Sequence, residues 1–325
     1  MAFVQAMVCA YSARGLNPAG ALNLAQIAPE EVEKSDARIT ASQMETVSDA
    51  AMRELNDEAL GCFARALPWG SYGMLARASL SAPTLGLALK RWCRHHGLLA
   101  DDIALSIQES QGIARIELRA HANPAQPEEF CVVSVLRNIL GFACWLVDSR
   151  IPLLGAEFPF EAPGHLASYT VLFDGPCCFG QSHAALVFDA RYLALPIRRD
   201  EAAMNQMLQH ALPLTVRAYR RDRLLVQRVR QALSTQPNNT RNASELAELL
   251  NLSPRSLHRQ LLLEGATLQA LKDEVRRSRA MALLQRSQRP IKQVAQAVGF
   301  RNEKSFIRAF KGWTGMAPGE WRERA

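Results

Sequence analysis

The sequence predicts a two-domain chain, an α+β first domain followed by an all-α second domain with two helix-turn-helix units joined by a long helix. Three observations predict it. First, the segment from Ser244 to Gly315 repeats itself. Ala247, Leu250 and Leu252 recur 48 residues later as Ala295, Val298 and Phe300, and Leu257, Arg259 and Leu261 recur 49 residues later as Phe306, Arg308 and Phe310. Each copy is a short apolar helix, a turn, and a second helix with apolar residues four apart and an arginine on another face, which is the sequence form of a helix-turn-helix. Second, the charge is unevenly divided. Residues 1–213 hold 16 Lys+Arg against 22 Asp+Glu, a net of −6, while residues 214–325 hold 22 against 9, a net of +13. A basic domain beside a mildly acidic one is the electrostatic footprint of polyanion binding. Third, the first 213 residues mix helical spacing with alternating, strand-like runs.

A length of 325 residues with 48% apolar content suffices for two cored domains. No run of about 18 uncharged apolar residues occurs. The most apolar stretch, Cys131 to Val147, is interrupted by Arg137 and reads as a buried helix. The N-terminus lacks a basic patch, apolar run and small-residue cleavage site, so a cytoplasmic location is expected. Seven cysteines without paired CxxC spacing read as reduced, mostly buried thiols, and no cofactor or metal is expected.

Residues 1–65 read as helical. Val4, Met7 and Tyr11 with Ala6, Ala10 and Ala13 give an amphipathic opening that Gly15 ends, and Asn17-Pro18 begins a short helix. Met44, Val47, Ala51 and Leu55 set the face of a helix over Thr40 to Leu55, and Pro68-Trp69-Gly70 is a turn. Ser81-Ala82-Pro83 starts a helix lined by Leu85, Leu89 and Trp92 that ends near Gly97. Ile103–Gln108 and Ile113–Leu118 alternate across Ser110-Gln111-Gly112 as a hairpin. The buried helix follows, then strand-like runs at Ala156–Phe160, Tyr169–Phe173 and Ala185–Phe188. Met204–Leu214 and Asp222–Leu233 read as helices, and the hinge is placed between Pro196 and Arg221, giving domains 1–213 and 214–325.

In the second domain, Asn242 with Glu245 or Ser244 caps the first unit's entering helix. Ser253-Pro254 starts its recognition helix and Gly265 stops it. Leu257 and Leu261 face the core, leaving Arg255, Ser256, His258, Arg259 and Leu262 on the other faces. Arg255 and Arg259, one turn apart, suit guanine edges or phosphates. The long helix, Leu268 to Arg286, has nineteen residues and spans about 28 Å at ~1.5 Å each, close to the ~34 Å between major grooves on one DNA face. Its Arg276, Arg277 and Arg279 suit phosphates or a solvated face equally. In the second unit Pro290 begins the first helix and Gly299 the turn. Asn302 caps the recognition helix, turning Glu303, Lys304 and Arg308 outward with Phe306 and Phe310 inside; Trp313 reads as core.

These residues carry a family resemblance. The run from Pro290 to Lys311, followed by Gly315 and Pro318, and the run Leu252-Ser-Pro-Arg-Ser-Leu-His-Arg resemble the signature of AraC/XylS-type transcription regulators over about the last hundred residues. The resemblance implies seven helices, two recognition helices in consecutive major grooves, and base contacts from Arg255, His258 and Arg259, then Glu303, Lys304 and Arg308. Glu303 departs from the pattern, standing where polar amides are frequent. A weaker resemblance links Tyr72 to Leu89, Phe173 to Gln181 and Leu195-Pro196 to the effector-sensing domain of one branch of this family. It implies that the first domain senses a metabolite and dimerises, without fixing a ligand-binding residue.

The expected function is therefore a DNA-binding transcription regulator controlled by a small molecule. Its expected partners are double-stranded promoter DNA, the effector, a second copy of the chain and RNA polymerase. Two alternatives stay open, a constitutive dimeric regulator and a cysteine-based DNA-repair enzyme fused to a DNA-binding domain. Cys177-Cys178 with His183 lacks zinc-site spacing, and His95-His96 reads as a helix end. Arg91 with Arg94 and Arg217 with Arg221 are candidate anion clamps. No GxSxG, P-loop or HExxH motif occurs.

Overall fold

The computed structural model describes residues 1–34, 37–120, 128–209, 211–216, 224–236, 240 and 242–324. The chain divides into two compact units, Met1–Asp222 and Arg223–Ala325.

The first unit opens with helices α1 (Ala2–Ala13), α2 (Ala19–Leu24), α3 (Pro29–Val32) and α4 (Ala41–Leu55). Thr40 and Gln43 close a reciprocal capping box at the start of α4, and Asn56 ends it in the left-handed region at φ 47. α5 (Ser71–Leu80) and α6 (Leu85–His96) follow. The cap of α6 is Thr84, whose hydroxyl accepts from the Leu87 N–H, so Pro83 lies before the cap and not inside the first turn. α5 was not foreseen. Its N-cap is Gly70 at φ 102 with no side-chain cap of its own. The Glu58 carboxylate supplies the missing acceptors, taking the Gly70 N–H at 2.7 Å and the Tyr72 N–H at 2.6 Å.

β1 (Ile103–Ser110) and β2 (Ile113–Ala120) form the expected hairpin. Gln111 at φ 50 and Gly112 at φ 76 give the two left-handed positions of a two-residue hairpin turn. α7 (Glu128–Val147) then crosses the unit before β3 (Leu153–Glu157), α8 (Tyr169–Leu172), β4 (Cys177–Cys178) and β5 (Ala184–Asp189). The sheet order is β1-β2-β5-β3-β4, antiparallel except for the β3–β4 pair. Tyr169–Phe173, expected as a strand, is helical at α8. Tyr169 and Phe173 are four apart and both pack on Phe158, at 5.0 and 5.2 Å between ring centres. A helical turn sets them about 6 Å apart along one face, whereas a strand would spread them about 13 Å, too far to share one ring. Met204–Leu214 is likewise two helices, α9 (Glu201–Leu208) and α10 (Leu212–Val216).

α7 is long and apolar enough to cross a membrane by length and composition, with mean hydropathy 1.9 over Glu129–Val147, yet it is 83% buried inside the fold. Leu136, Ile139, Phe142, Leu146 and Val147 are fully enclosed there. Its one interior cation, Arg137, is 3% exposed and donates to the Leu172 carbonyl at 2.6 Å and the Leu214 carbonyl at 3.5 Å, tying α8 and α10 to α7. Burial pulls its pKa down to about 10, which leaves it charged at neutral pH. A Cβ at Gly141 would overlap the Leu214 carbonyl oxygen, so glycine is what lets α10 approach.

The second unit consists, among the described residues, of seven helices: α11 (Leu224–Thr235), α12 (Ala243–Leu249), α13 (Pro254–Leu263), α14 (Leu268–Arg286), α15 (Ile291–Ala297), α16 (Glu303–Thr314) and α17 (Pro318–Arg324). Two separate cores lie along it. One packs Leu246, Leu250, Leu257 and Leu261 against α11 and the start of α14. The other packs Val294, Val298, Phe306 and Phe310 against Ala280 and Leu284 at the end of α14. Glu264 binds the first core's edges together, accepting from the Leu225 N–H at 3.2 Å and the Val226 N–H at 2.8 Å, and Arg230 pairs with Glu274 at 2.7 Å.

Candidate nucleic-acid interface

The two recognition helices, α13 and α16, are built to one plan. Ser253 Oγ accepts from the Ser256 N–H at 3.1 Å, and Asn302 Oδ1 accepts from the Ser305 N–H at 2.7 Å. These caps stand at equivalent places in the repeat. Leu257 and Leu261 in α13, and Phe306 and Phe310 in α16, are buried to 1% or less. With those anchors turned inward, Arg255, His258, Arg259 and Leu262 fall on one exposed stripe of α13. Lys304, Ile307, Arg308 and Lys311 form the matching stripe of α16, with Ile307 half-buried and the other three exposed. The repeat therefore superimposes Arg255 on Lys304 and Arg259 on Arg308.

Three expected contact residues sit differently. The Ser256 hydroxyl is half-buried and accepts from Ser253 Oγ at 2.9 Å, which joins it to the cap. Asn302 spends its carbonyl oxygen on the cap. Glu303 is the first residue of α16 and half-buried, at the place Pro254 takes in α13. A carboxylate there lies at the positive end of the helix dipole, a structural reason for an acid at this position.

α14 spans Leu268–Arg286 as expected and carries both units. Its Arg276 stacks on Phe300 at 5.3 Å, so that side chain joins α14 to the second helix-turn-helix, while Arg277 and Arg279 are exposed. Beside it runs a groove of about 810 Å3 edged by Lys272, Arg276, Arg279 and Arg301. Burial, then the charge of Arg276, lowers the Lys272 pKa. Trp313 packs on the second core, 5.9 Å from Phe300 between ring centres. Leu262, expected on an outward face, and Leu263, which sequence reasoning missed, are 71% and 78% exposed at the end of α13. Their only signal was an apolar pair outside the four-residue spacing.

The first unit contains a cavity of about 110 Å3 among α1, α4, α5, α6, α7 and the loop after α4. That loop is held by Asp57, which is fully buried. Asp57 accepts from the N–H groups of Ala59, Gly61 and Leu67 at 2.8 to 3.0 Å and pairs with Arg14 at 2.6 Å. No sequence motif marks the cavity, because its wall residues come from positions as far apart as Met7 and Leu212.

A family model described as the arabinose-binding N-terminal domain of AraC transcription regulators matches residues 15–197, and a helix-turn-helix domain model matches residues 246–324. The chain belongs to the AraC family of transcription regulators. It is 26% identical over 326 residues to the ornithine utilization regulator of Pseudomonas aeruginosa, covering 99% of this chain and 96% of that one. It is 27% identical to the regulator VqsM of the same organism, covering 77% and 79% of the two chains. Among solved structures, the transcriptional regulator CdpR from Pseudomonas aeruginosa is similar at 20% identity and a TM-score of 0.35, covering 94% and 96%. This AraC-family chain is accordingly a DNA-binding transcription regulator with an N-terminal ligand-binding domain.

The other side chains singled out in this AraC-family sequence find local partners. Cys177 and Cys178 form β4, with Cys177 Sγ directed at the Gly175 carbonyl, and among the described residues no three metal-ligating side chains converge. His96 is buried against Phe63, 5.6 Å between ring centres, and burial lowers its pKa to about 4. It is therefore neutral at pH 7 and not a charge set against the helix end. Arg91 donates to Ser81 Oγ at 2.9 Å. Arg217 and Arg221 lie outside the described residues.

Proposed function

We propose that this regulator is a cytoplasmic, nucleoid-associated protein that acts as a homodimer on promoter DNA, contacts RNA polymerase there, and changes its DNA affinity when a small molecule occupies the first unit. Arg255, His258 and Arg259 read one major groove, and Lys304 and Arg308 read the next. Ser256 and Asn302 shape the helix starts, and Glu303 biases the second site by accepting from cytosine or repelling phosphate. The observation that carries this reading is the pair of matched stripes, Arg255-His258-Arg259 and Lys304-Ile307-Arg308, held outward by buried anchors on helices with equivalent caps.

The protein is read as a regulator and not a DNA-repair enzyme. Support comes from three of the thiols: burial pushes Cys93 up to about 12 and raises Cys62 and Cys177, against the low pKa that a nucleophilic thiol needs, which leaves the exposed Cys9 and Cys178 as the thiols to label. Genome-wide binding of the tagged chain in its own cells is the test. Discrete promoter sites are expected, with affinity that falls steeply with salt. Diffuse binding without a shared motif, or rapid alkylation of one cysteine with loss of activity on alkylated DNA, would overturn the reading.

A further inference from the structure

Among the described residues Glu58 is the one acidic side chain that lines the cavity of the first unit, and no lysine or arginine lines it; Arg53 and Arg77 lie along the outer groove that Glu58 also borders. Among the described residues no cation pairs with Glu58. Its carboxylate accepts the two N–H groups that start α5; burial raises its pKa, and those two donors work against the rise. The imidazole that lines the cavity, His96, is kept neutral by burial. A carboxylate in a half-buried site with no counter-charge is poised to gain from one. The remaining walls suit a cation with an apolar stem, because Phe63, Tyr72, Trp92 and Phe130 offer ring faces and edges, and Met7 and Met44 offer soft apolar contact.

We propose that this cavity is the effector site and that it takes a small organic monocation, a primary ammonium on a short apolar stem. The inference rests on the effector-controlled reading above. The volume agrees: one water needs roughly 10–15 Å3, so about 110 Å3 has room for about seven to eleven water-sized groups, enough for a short-chain ammonium. Met52, Glu58, Tyr72, Asn138 and Leu212 line both the cavity and an adjoining open groove, the side from which a ligand would enter. Ser134 and Asn138, one turn apart on α7, supply neutral polar contacts at the wall. Leu212 belongs to α10, the last described helix before the second unit, so an occupant of the cavity touches the segment that leads to the DNA-binding helices.

The full chain is titrated with n-butylammonium chloride, sodium butyrate and 1-butanol at constant ionic strength, following melting temperature and tryptophan fluorescence. Butylammonium is expected to give a saturable rise in melting temperature, with butanol weaker by about tenfold or more and butyrate inactive. Glu58→Gln should lose that preference. Because Glu58 also caps α5, Ser134→Leu and Asn138→Leu fill the cavity from α7 while sparing the carboxylate, and each should abolish the response in a protein that keeps its circular dichroism. Equal response to butanol and butylammonium, a preference for butyrate, no saturable response to any probe, or an unchanged response in folded Ser134→Leu and Asn138→Leu overturns the inference. Promoter binding is measured on the same samples. Intact promoter binding without cation binding removes this inference alone, whereas absent promoter binding removes the regulator reading whatever the probes do.

Discussion

The two units keep their charges in opposite places. The first encloses Asp57, His96, Glu117 and Arg137 and half-buries Glu58. The second encloses no Asp, Glu, Lys or Arg among its described residues, and its excess positive charge lies outside two apolar cores. In the first unit, polar atoms far apart in the chain fix where loops and helix ends go. In the second, apolar spacing and caps within three residues do most of that work, with Glu264 at the start of α11 and the Arg230–Glu274 pair as the long-range polar links. The contrast predicts that one unit is sensitive to pH and to single polar truncations, while the other is sensitive to truncations of its apolar anchors and caps.

The largest expected effect is at Asp57. Asp57→Ala strands three backbone N–H groups and the Arg14 guanidinium in or near the interior, a loss of about 3–5 kcal/mol. The matching change in the second unit, Asp273→Ala, removes an acceptor for Gln269 on a helix surface and should stay within ~0.5 kcal/mol. Chemical denaturation of the two full-length variants checks the pair, and equal losses would sink the contrast.

Acid should likewise strike the first unit. His96 holds its proton only below about 4 when folded, against 6.5 when exposed, so between those values the unfolded chain binds the extra proton. Stability from this group is complete above pH 6.5 and falls by ~3 kcal/mol as pH drops through the window to 4. Glu58, whose folded pKa is raised, acts with the opposite sign at the lower end of the same window. The difference between wild type and His96→Leu isolates the histidine. Stability-against-pH curves that run parallel for the two proteins would show that His96 is not buried as a neutral group.

The same contrast explains what the sequence disclosed. Nearly every landmark of the second unit was legible, including the caps at Asn242, Ser253 and Asn302, the stop at Gly265 and the bounds of α14, because each is a local signal. The hairpin Ile103–Ala120 was legible for the same reason, through alternation around Gln111-Gly112. α5 was not, since its cap comes from Glu58, twelve residues upstream of Gly70. α8 was misread because Tyr169–Phe173 is a short apolar run whose helical contacts with Phe158 are tertiary. The exposed stripes followed from the repeat, but the roles of Ser256 and Arg276 did not, because a hydroxyl shared with Ser253 and a guanidinium laid on Phe300 leave no periodic trace.

A smaller effect compares the two helix-turn-helix units with each other. Arg259 and Arg308 are equivalent in the repeat, so alanine at either should cost ~1–3 kcal/mol of promoter affinity and relax preference at one half of the site only. Selection of bound sequences from a randomised pool reads this directly. If both variants relax the same base pairs, the two helices do not occupy separate grooves. If neither relaxes any base pair while the salt slope falls by about 1, the arginines hold phosphates instead.

The smallest expected effect separates folding from DNA contact within the caps. Ser253→Ala and Asn302→Ala should each lose ~1 kcal/mol of stability, since each leaves a first-turn N–H without its acceptor. Ser253→Asp and Asn302→Asp keep the acceptor and place a negative charge at the helix start, so stability should change by only a few tenths of a kcal/mol. On promoter DNA the aspartates should nevertheless bind more weakly than wild type, because a recognition helix brings its N-terminal residues into the groove of a polyanion, where an added negative charge is repelled. Wild-type affinity in Asn302→Asp, with stability retained, would turn that end of α16 away from DNA. It would leave α13 as the reading helix and α16 as a structural copy, breaking the equivalence that the repeat implies.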